Sequence, residues 1–314
     1  MANLRSNLVP TLAVFTKNRT NDAYAAARLG AERTAARLGA RVVHYVPQRP
    51  DDIEEQIALV GHAIAARPDA VLFVPVHVTA MHGSVRKLND AGIPVVNLLN
   101  RLTEGRFVTF VGSDDYRIGY DIAVRLFQHL GGKGDIVVLE GMPGAVTSHD
   151  RMRGFLTALA QWPGIRVVAT RAADYQQETA RRVLTELLPR LPRLDGILSA
   201  NDVMSLGALE ALEAAGRSAA VVGVNALPAA IAAIKSGKLL ATVDFDALKI
   251  ACIAAEAAIR HLRGQPVPND IELPVRIVDA ANCQPWDRPL EERECPRWDD
   301  VVPPSRKSEG ERRK

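Results

Sequence analysis

The sequence is poor in most of the features that announce a chemistry. It holds three cysteines in 314 residues, too few for the disulfide framework of a small secreted domain. Cys252 lies in an Ala/Ile-rich stretch and reads as a small core residue. Cys283 and Cys295 remain as a pair that an oxidising compartment could join. No apolar run reaches the roughly 18 residues of a membrane span. The net charge is only +3, from 39 basic against 36 acidic residues, an excess too small to argue for a nucleic-acid or membrane surface. Met1–Asn7 run almost directly into the first apolar stretch and leave no room for a hydrophobic export segment. That start points to the cytoplasm, or to a mature form with a replaced first residue.

Catalytic and cofactor motifs are missing as well. No Gly-x-Gly-x-x-Gly follows the first strand, and neither a Gly-x-Ser-x-Gly elbow nor a His-Glu-x-x-His occurs. Gly131-Gly132-Lys133-Gly134 has the look of a phosphate loop, but it precedes a strand, whereas a P-loop follows one and leads into a helix. His77 and His82 are spaced poorly for one helix face, so no metal site is expected. These absences argue for a protein that holds a ligand without transforming it, with no cofactor and no enzymatic activity.

What the chain does have is regular alternation. With 47% hydrophobic and 24% charged residues it has ordinary globular composition, and at about 150 residues per domain its length suggests two. Short β-branched runs at 10–16, 41–46, 70–75, 94–98, 107–111, 135–140, 166–170, 195–199, 220–224 and 240–244 read as strands. Helix-length stretches with apolar residues at three- and four-residue spacing separate most of them, and a last one follows at 246–263. Ala70-Val71-Leu72-Phe73-Val74 is a nearly continuous apolar run, as in parallel strands covered on both faces. The pattern predicts an α/β protein of two doubly wound parallel sheets. Strand 107–111 follows 94–98 with no helix between, which marks a passage from one domain to the other.

In open α/β sheets the loops at the carboxyl ends of the strands converge on the ligand. Here these exits carry polar groups with consistency: Lys17, Asn18 and Asn21; Asn100 and Arg101; Thr147, Ser148, His149 and Arg151; Asp174 and Tyr175; Asn201 and Asp202; Asn225; and Asp244 before Phe245. Each has a plainer reading. Asp202 is most simply a helix N-cap, Asn225 a turn former, His149 a surface or cap residue. Either Arg151 or Arg153 could pair with a structural carboxylate. The coincidence across seven exits is what favours a binding site.

Several stretches carry a family resemblance: Gly92-Ile93-Pro94-Val95-Val96, Val111-Gly112-Ser113-Asp114-Asp115, Arg151-Met152-Arg153-Gly154-Phe155 and, most specifically, Ala200-Asn201-Asp202-Val203-Met204-Ser205-Leu206-Gly207-Ala208-Leu209. Val222-Gly223-Val224-Asn225 and Gly237–Val243 support it. Over about residues 10–280 the chain resembles the periplasmic sugar-binding proteins of ABC importers, in the ribose-binding-like group of type I solute-binding proteins. The resemblance implies two doubly wound lobes joined by a three-strand hinge. It puts residues 1–111 plus 246–270 in an N-terminal lobe and 112–245 plus 271–285 in a C-terminal lobe. Residues 286–314 remain as a partly disordered extension, ending in the charged tail 305–314.

The resemblance also implies a ligand set. Lys17, Asn21 and Tyr24 fall on the loop after the first strand, where Ala23 replaces one of the family's aromatics. Asn100 and Arg101 are offered for the family's Asp-Arg pair; with one extra residue at that exit, either Leu99-Asn100 or Asn100-Arg101 takes that place. The family's ligand-binding arginine falls on His149 or Arg151, its next aromatic on Tyr175 and its pocket asparagine on Asn201. Asn225 stands where an aspartate binds sugar hydroxyls, and Phe245, beside Asp244, where a glutamine does. With two carboxylates lost and Lys17, Arg101, His149 and Arg151 kept, something negative should meet the cations. Asp244, Asp174 or Asp114 would serve, and so would the ligand, leaving sugar acids and sugar phosphates beside neutral sugars and polyols. The implied partners are a small carbohydrate and a membrane permease, with no nucleic acid, for a periplasmic monomer. The alternative is the sugar-sensing domain of a repressor-like regulator. That would need a helix-turn-helix module of about 50–60 residues ahead of the first strand.

Overall fold

A computed structural model of the chain describes residues 9–302; the charged tail 305–314 lies outside the described residues. Each apolar run forms a strand. In chain order the elements are β1 (Thr11–Phe15), α1 (Asp22–Arg37), β2 (Arg41–Tyr45), α2 (Ile53–Ala66), β3 (Ala70–Phe73), α3 (His82–Asp90), β4 (Val95–Leu98), β5 (Thr109–Gly112), α4 (Asp115–His129) and β6 (Gly134–Glu140). They continue with α5 (Val146–Gln161), β7 (Ile165–Ala172), α6 (Gln177–Leu187), β8 (Gly196–Ser199), α7 (Asp202–Ala214), β9 (Ala220–Val224), α8 (Pro228–Lys235) and β10 (Ala241–Asp244). After these come α9 (Ala247–Leu262), β11 (Asp270–Glu272), β12 (Arg276–Asp279) and α10 (Trp298–Val301).

The chain divides into two compact units. Among the described residues the first comprises 9–112, 247–273 and 294–302; the second comprises 113–246 and 274–293. In the first unit six parallel strands run β11-β5-β4-β3-β1-β2. The four residues of β3 and of β4 are all buried, as in strands covered by helices on both faces. Helix α9, with twelve of its sixteen residues buried, crosses β3, β4 and β5 and packs on α1. The approach is close at Gly30, where any Cβ would lie 2.3 Å from the Leu248 carbonyl oxygen.

In the second unit the order is β12-β10-β9-β8-β6-β7. Its strands are parallel as expected, except at one edge. β12 runs antiparallel to β10, with Arg276 opposite Asp244. As the edge strand it needs no crossover helix to reach its place.

The sequence-based expectation for the end of the chain also changes. Residues 286–293 stay with the second unit instead of forming a separate extension, and the chain then returns to the first. That adds a fourth passage between units to the three implied by the resemblance. In the first unit Arg260 stacks on Trp298 of α10 at 4.5 Å. Cys295 bonds not to Cys283 but to Cys252 on α9, with Cα atoms 6.0 Å apart. Cys283 keeps a buried thiol. The pairing escapes sequence reading because Cys252 is also a core residue, 1% exposed.

Candidate ligand site

In the first unit the strand order reverses between β1 and β3, the place where open α/β sheets bind ligands. Thr16, Lys17 and Asn18 leave β1 buried. Lys17 Nζ lies 3.9 Å from Asp51, at the start of α2, and the Asn18 amide donates to both Asp51 oxygens at 3.1 and 3.2 Å. Arg28 reaches from α1 to Thr16 Oγ1 (2.9 Å) and the Asn18 carbonyl (3.1 Å), and burial lowers its pKa. Asn21 caps α1, accepting from the Ala23 N–H at 3.0 Å, and Tyr24 stands half-buried on the first turn.

The exit of β4 is shaped by Asn97, a polar residue inside an apolar strand. Its amide donates to the carbonyls of Phe73 (3.1 Å) and Asn100 (2.9 Å), and its oxygen accepts from the Leu102 N–H (2.8 Å). The turn holds Leu99 at φ +61°. Asn100 Oδ1 is left buried with no hydrogen-bond partner among the described residues, an acceptor that a hydroxyl could satisfy. Arg101 is turned to other work: it pairs with Asp270 at 2.7 Å and lies 3.8 Å over the Phe110 ring, exposed.

In the second unit the corresponding reversal falls between β6 and β8. Arg151 spans it. From α5 its Nε donates to Asp115 at 2.8 Å and its Nη1 to the Ala200 carbonyl, at the exit of β8, at 2.7 Å. Arg151 is 6% exposed; burial raises the Asp115 pKa, and Arg151 opposes that shift. Asp174 and Tyr175 both take positive φ, +55° and +59°. That conformation lays the Tyr175 ring on Gly141, where a Cβ would lie 2.1 Å from Cζ. The Tyr175 hydroxyl bonds to Thr147 Oγ1 at 3.1 Å, and burial raises its pKa.

Asn201, not Asp202, is the N-cap of α7, accepting from the Met204 N–H at 2.9 Å. Asp202 is the first helical residue and points inward: it accepts from Thr242 Oγ1 (2.7 Å) and the Leu227 N–H (2.9 Å). Asn225 sits at φ +123°, a sparsely populated conformation that natural folds keep mainly at functional sites. Asp244 is 8% exposed, and burial followed by the Asp246 carboxylate raises its pKa to about 6. Phe245 lies 5.9 Å from the Arg151 guanidinium. His149 is exposed, with its ring Nδ1 3.4 Å from the carboxylate of its neighbour Asp150.

The structure therefore gathers Arg151, Tyr175, Asn201, Asn225, Asp244 and Phe245 on strand exits of one unit, and Lys17, Asn21, Tyr24 and Asn100 on those of the other. Arg101 and His149 are engaged at the surface. The carboxylates beside the cations are Asp51, Asp270, Asp150 and Asp115; of those expected there, Asp114 caps α4. Sequence reading missed Asp51, Asn97 and Asp115. Asn97 was detectable as an amide within Val95-Val96-Asn97-Leu98. Asp51 follows β2, whose exit has the same claim as the others.

Known proteins are similar across nearly the whole chain. A family model described as a periplasmic binding protein domain matches residues 12–266. The ribose import binding protein of Bacillus subtilis is 30% identical over 85% of this chain and 86% of its own length. A xylitol-binding protein of Mycolicibacterium smegmatis is 31% identical over 73% of this chain and 66% of its own. Among solved structures, an ABC transporter periplasmic solute-binding protein from Actinobacillus succinogenes with bound D-allose matches at TM-score 0.83 and 33% identity, covering 87% of this chain and 98% of that one. A solute-binding protein from Bacillus halodurans with bound myo-inositol matches at TM-score 0.82 and 26% identity, covering 88% and 97%.

Proposed function

The chain belongs to the periplasmic binding protein family, and from that premise we propose that it captures a small neutral sugar or polyol and delivers it to an ABC-type membrane permease. Relatives named or solved with ribose, xylitol, allose and inositol support a polyhydroxylated ligand. The observation that carries neutrality is the counter-ion at each cation: Lys17 with Asp51, Arg101 with Asp270 and Arg151 with Asp115. No ligand charge is needed to offset them, and an anionic ligand would approach Asp51 and Asp115 against like charge. Sugar acids and phosphates therefore fall behind.

On this reading the ligand-binding residues are Lys17, Asn21, Tyr24, Asn100, Arg151, Tyr175, Asn201, Asn225, Asp244 and Phe245, with Arg101 and His149 in lesser roles because both are exposed and engaged elsewhere. The family is one of substrate-binding proteins, and the chain binds without catalysing, as a monomer. The Cys252–Cys295 disulfide favours an oxidising compartment, hence the periplasm over the cytoplasm of a transcription regulator. Among the described residues no helix is long and apolar enough to cross a membrane.

The test is a thermal-shift series with D-ribose, D-allose, xylitol and myo-inositol beside gluconate and ribose 5-phosphate. A ligand at 100 times its dissociation constant stabilises by about 2.7 kcal/mol, a readily measured rise in Tm. At least one neutral compound should give it. A shift from the anions alone would overturn neutrality, and no shift at all would overturn the carbohydrate reading.

A further inference from the structure

Asp244 ends β10 with both carboxylate oxygens engaged by residues later in the chain. The Asp246 N–H donates to Oδ1 at 2.7 Å, and the Trp286 indole N–H donates to Oδ2 at 2.6 Å. Trp286 stands on the 3-10 turn Gln284–Trp286, beyond the residues 12–266 matched by the family model. The turn is held from two sides. Arg293 donates to the Trp286 carbonyl at 2.7 Å, and Asp287 takes Lys235 Nζ of α8 at 2.5 Å. An indole is a donor with no second role, wide enough to wedge in place and unable to rotate its N–H away. Held so, it fixes the plane of the carboxylate it touches.

We propose that Trp286 is a positioning residue, whose indole sets the Asp244 carboxylate in the orientation that lets its remaining lone pairs accept ligand hydroxyls. This rests on Asp244 being a ligand contact, as assigned above. Segment 284–293 is then part of the binding machinery and not an appendage. Each carboxylate oxygen can accept a further bond, and hydroxyl donation to an ionised acceptor is the strong form of that bond. The charged groups facing Asp244 are Asp246, Asp202 and Arg293, with Arg276 opposite it on β12. The indole opposes the rise in the Asp244 pKa, so its loss lets that pKa climb further.

The experiment titrates wild type, Trp286→Phe, Trp286→His, Asp244→Asn and the Asp244→Asn/Trp286→Phe double variant by calorimetry from pH 5 to 8.5. The probe is the tightest binder among D-ribose, D-allose, xylitol and myo-inositol. Trp286→Phe should weaken binding about tenfold at pH 8 and move the acid limb of the affinity profile to higher pH. Trp286→His, which keeps a ring N–H, should recover most of the loss, and the double variant should bind no worse than Asp244→Asn. Wild-type affinity in Asp244→Asn would overturn the site assignment, and this proposal with it. An impaired Asp244→Asn beside an unaltered Trp286→Phe would overturn the positioning role alone. If Trp286→Phe fails to fold, a folded Trp286→His that binds tenfold more weakly overturns the proposal. Failure of wild type to bind any of the four overturns both readings.

Discussion

Arg151 holds three things at once: the Asp115 carboxylate, the Ala200 carbonyl at the exit of β8, and, on the proposed reading, the ligand. Sequence reasoning alone suggests that removing it would abolish binding and leave the fold intact. Its side chain and that of Asp115 are 8% and 14% exposed, and breaking so buried a pair strands a carboxylate that burial already disfavours. Arg151→Ala should therefore lose about 3 kcal/mol of stability as well as ligand binding. Arg151→Ala/Asp115→Asn should regain much of the stability and none of the binding. Urea unfolding read beside ligand titration separates the two effects. A midpoint for Arg151→Ala equal to that of wild type would show that the pair is not structural.

At the scale of elements, the end of the chain matters more than its composition suggests. The disulfide from α9 to Cys295 closes a separation of 43 residues. The closed stretch holds β11, β12 and the turn carrying Trp286. By loop entropy such a closure is worth about 4 kcal/mol at most. Reduction, or Cys252→Ser/Cys295→Ser, should lower the urea midpoint accordingly, with Cys283→Ser as the control that leaves it nearly unchanged. If reduction leaves the midpoint where it was, the cross-link does not stabilise the fold. This is also where sequence reading reached its limit. Eight of the ten strands read from the sequence are apolar runs buried on both faces, and the edge strands β2 and β7, half-exposed, still show their β-branched pairs Val42-Val43 and Val167-Val168. β11, with Ile271 buried between exposed Asp270 and Glu272, and β12, beginning at exposed Arg276, bury too little to leave a pattern. Their place is set by the strands they pair with. The candidate site shows in the sequence as polar exits, but its neighbours do not: Asp115 and Trp286 bond to Arg151 and Asp244 across long stretches of chain.

Over the whole molecule the titration is lopsided. The carboxyls that burial raises, Asp115, Asp202 and Asp244, all lie in the second unit. Asp202 rises to about 7, with Thr242 and Leu227 opposing the shift as donors. In the unfolded chain an aspartate releases its proton near pH 3.9. Between about pH 4 and 7 the folded protein therefore holds a proton that the unfolded chain has given up, so stability is full on the acid side and falls as pH rises through the folded pKa. Carboxyls lowered by arginine partners, Asp135, Glu55 and Glu178, act in the opposite sense but at lower pH, which leaves the upper window to the buried group. Asp202→Asn removes the titration while keeping the shape. It should be less stable than wild type at pH 5, because an amide cannot accept both the Thr242 and the Leu227 hydrogen bonds. Its deficit should shrink by pH 8, where wild type carries a buried charge. Urea midpoints of the two proteins at pH 5 and pH 8 decide the matter: a deficit of the same size at both would mean that Asp202 is ionised throughout, its two donors outweighing its burial.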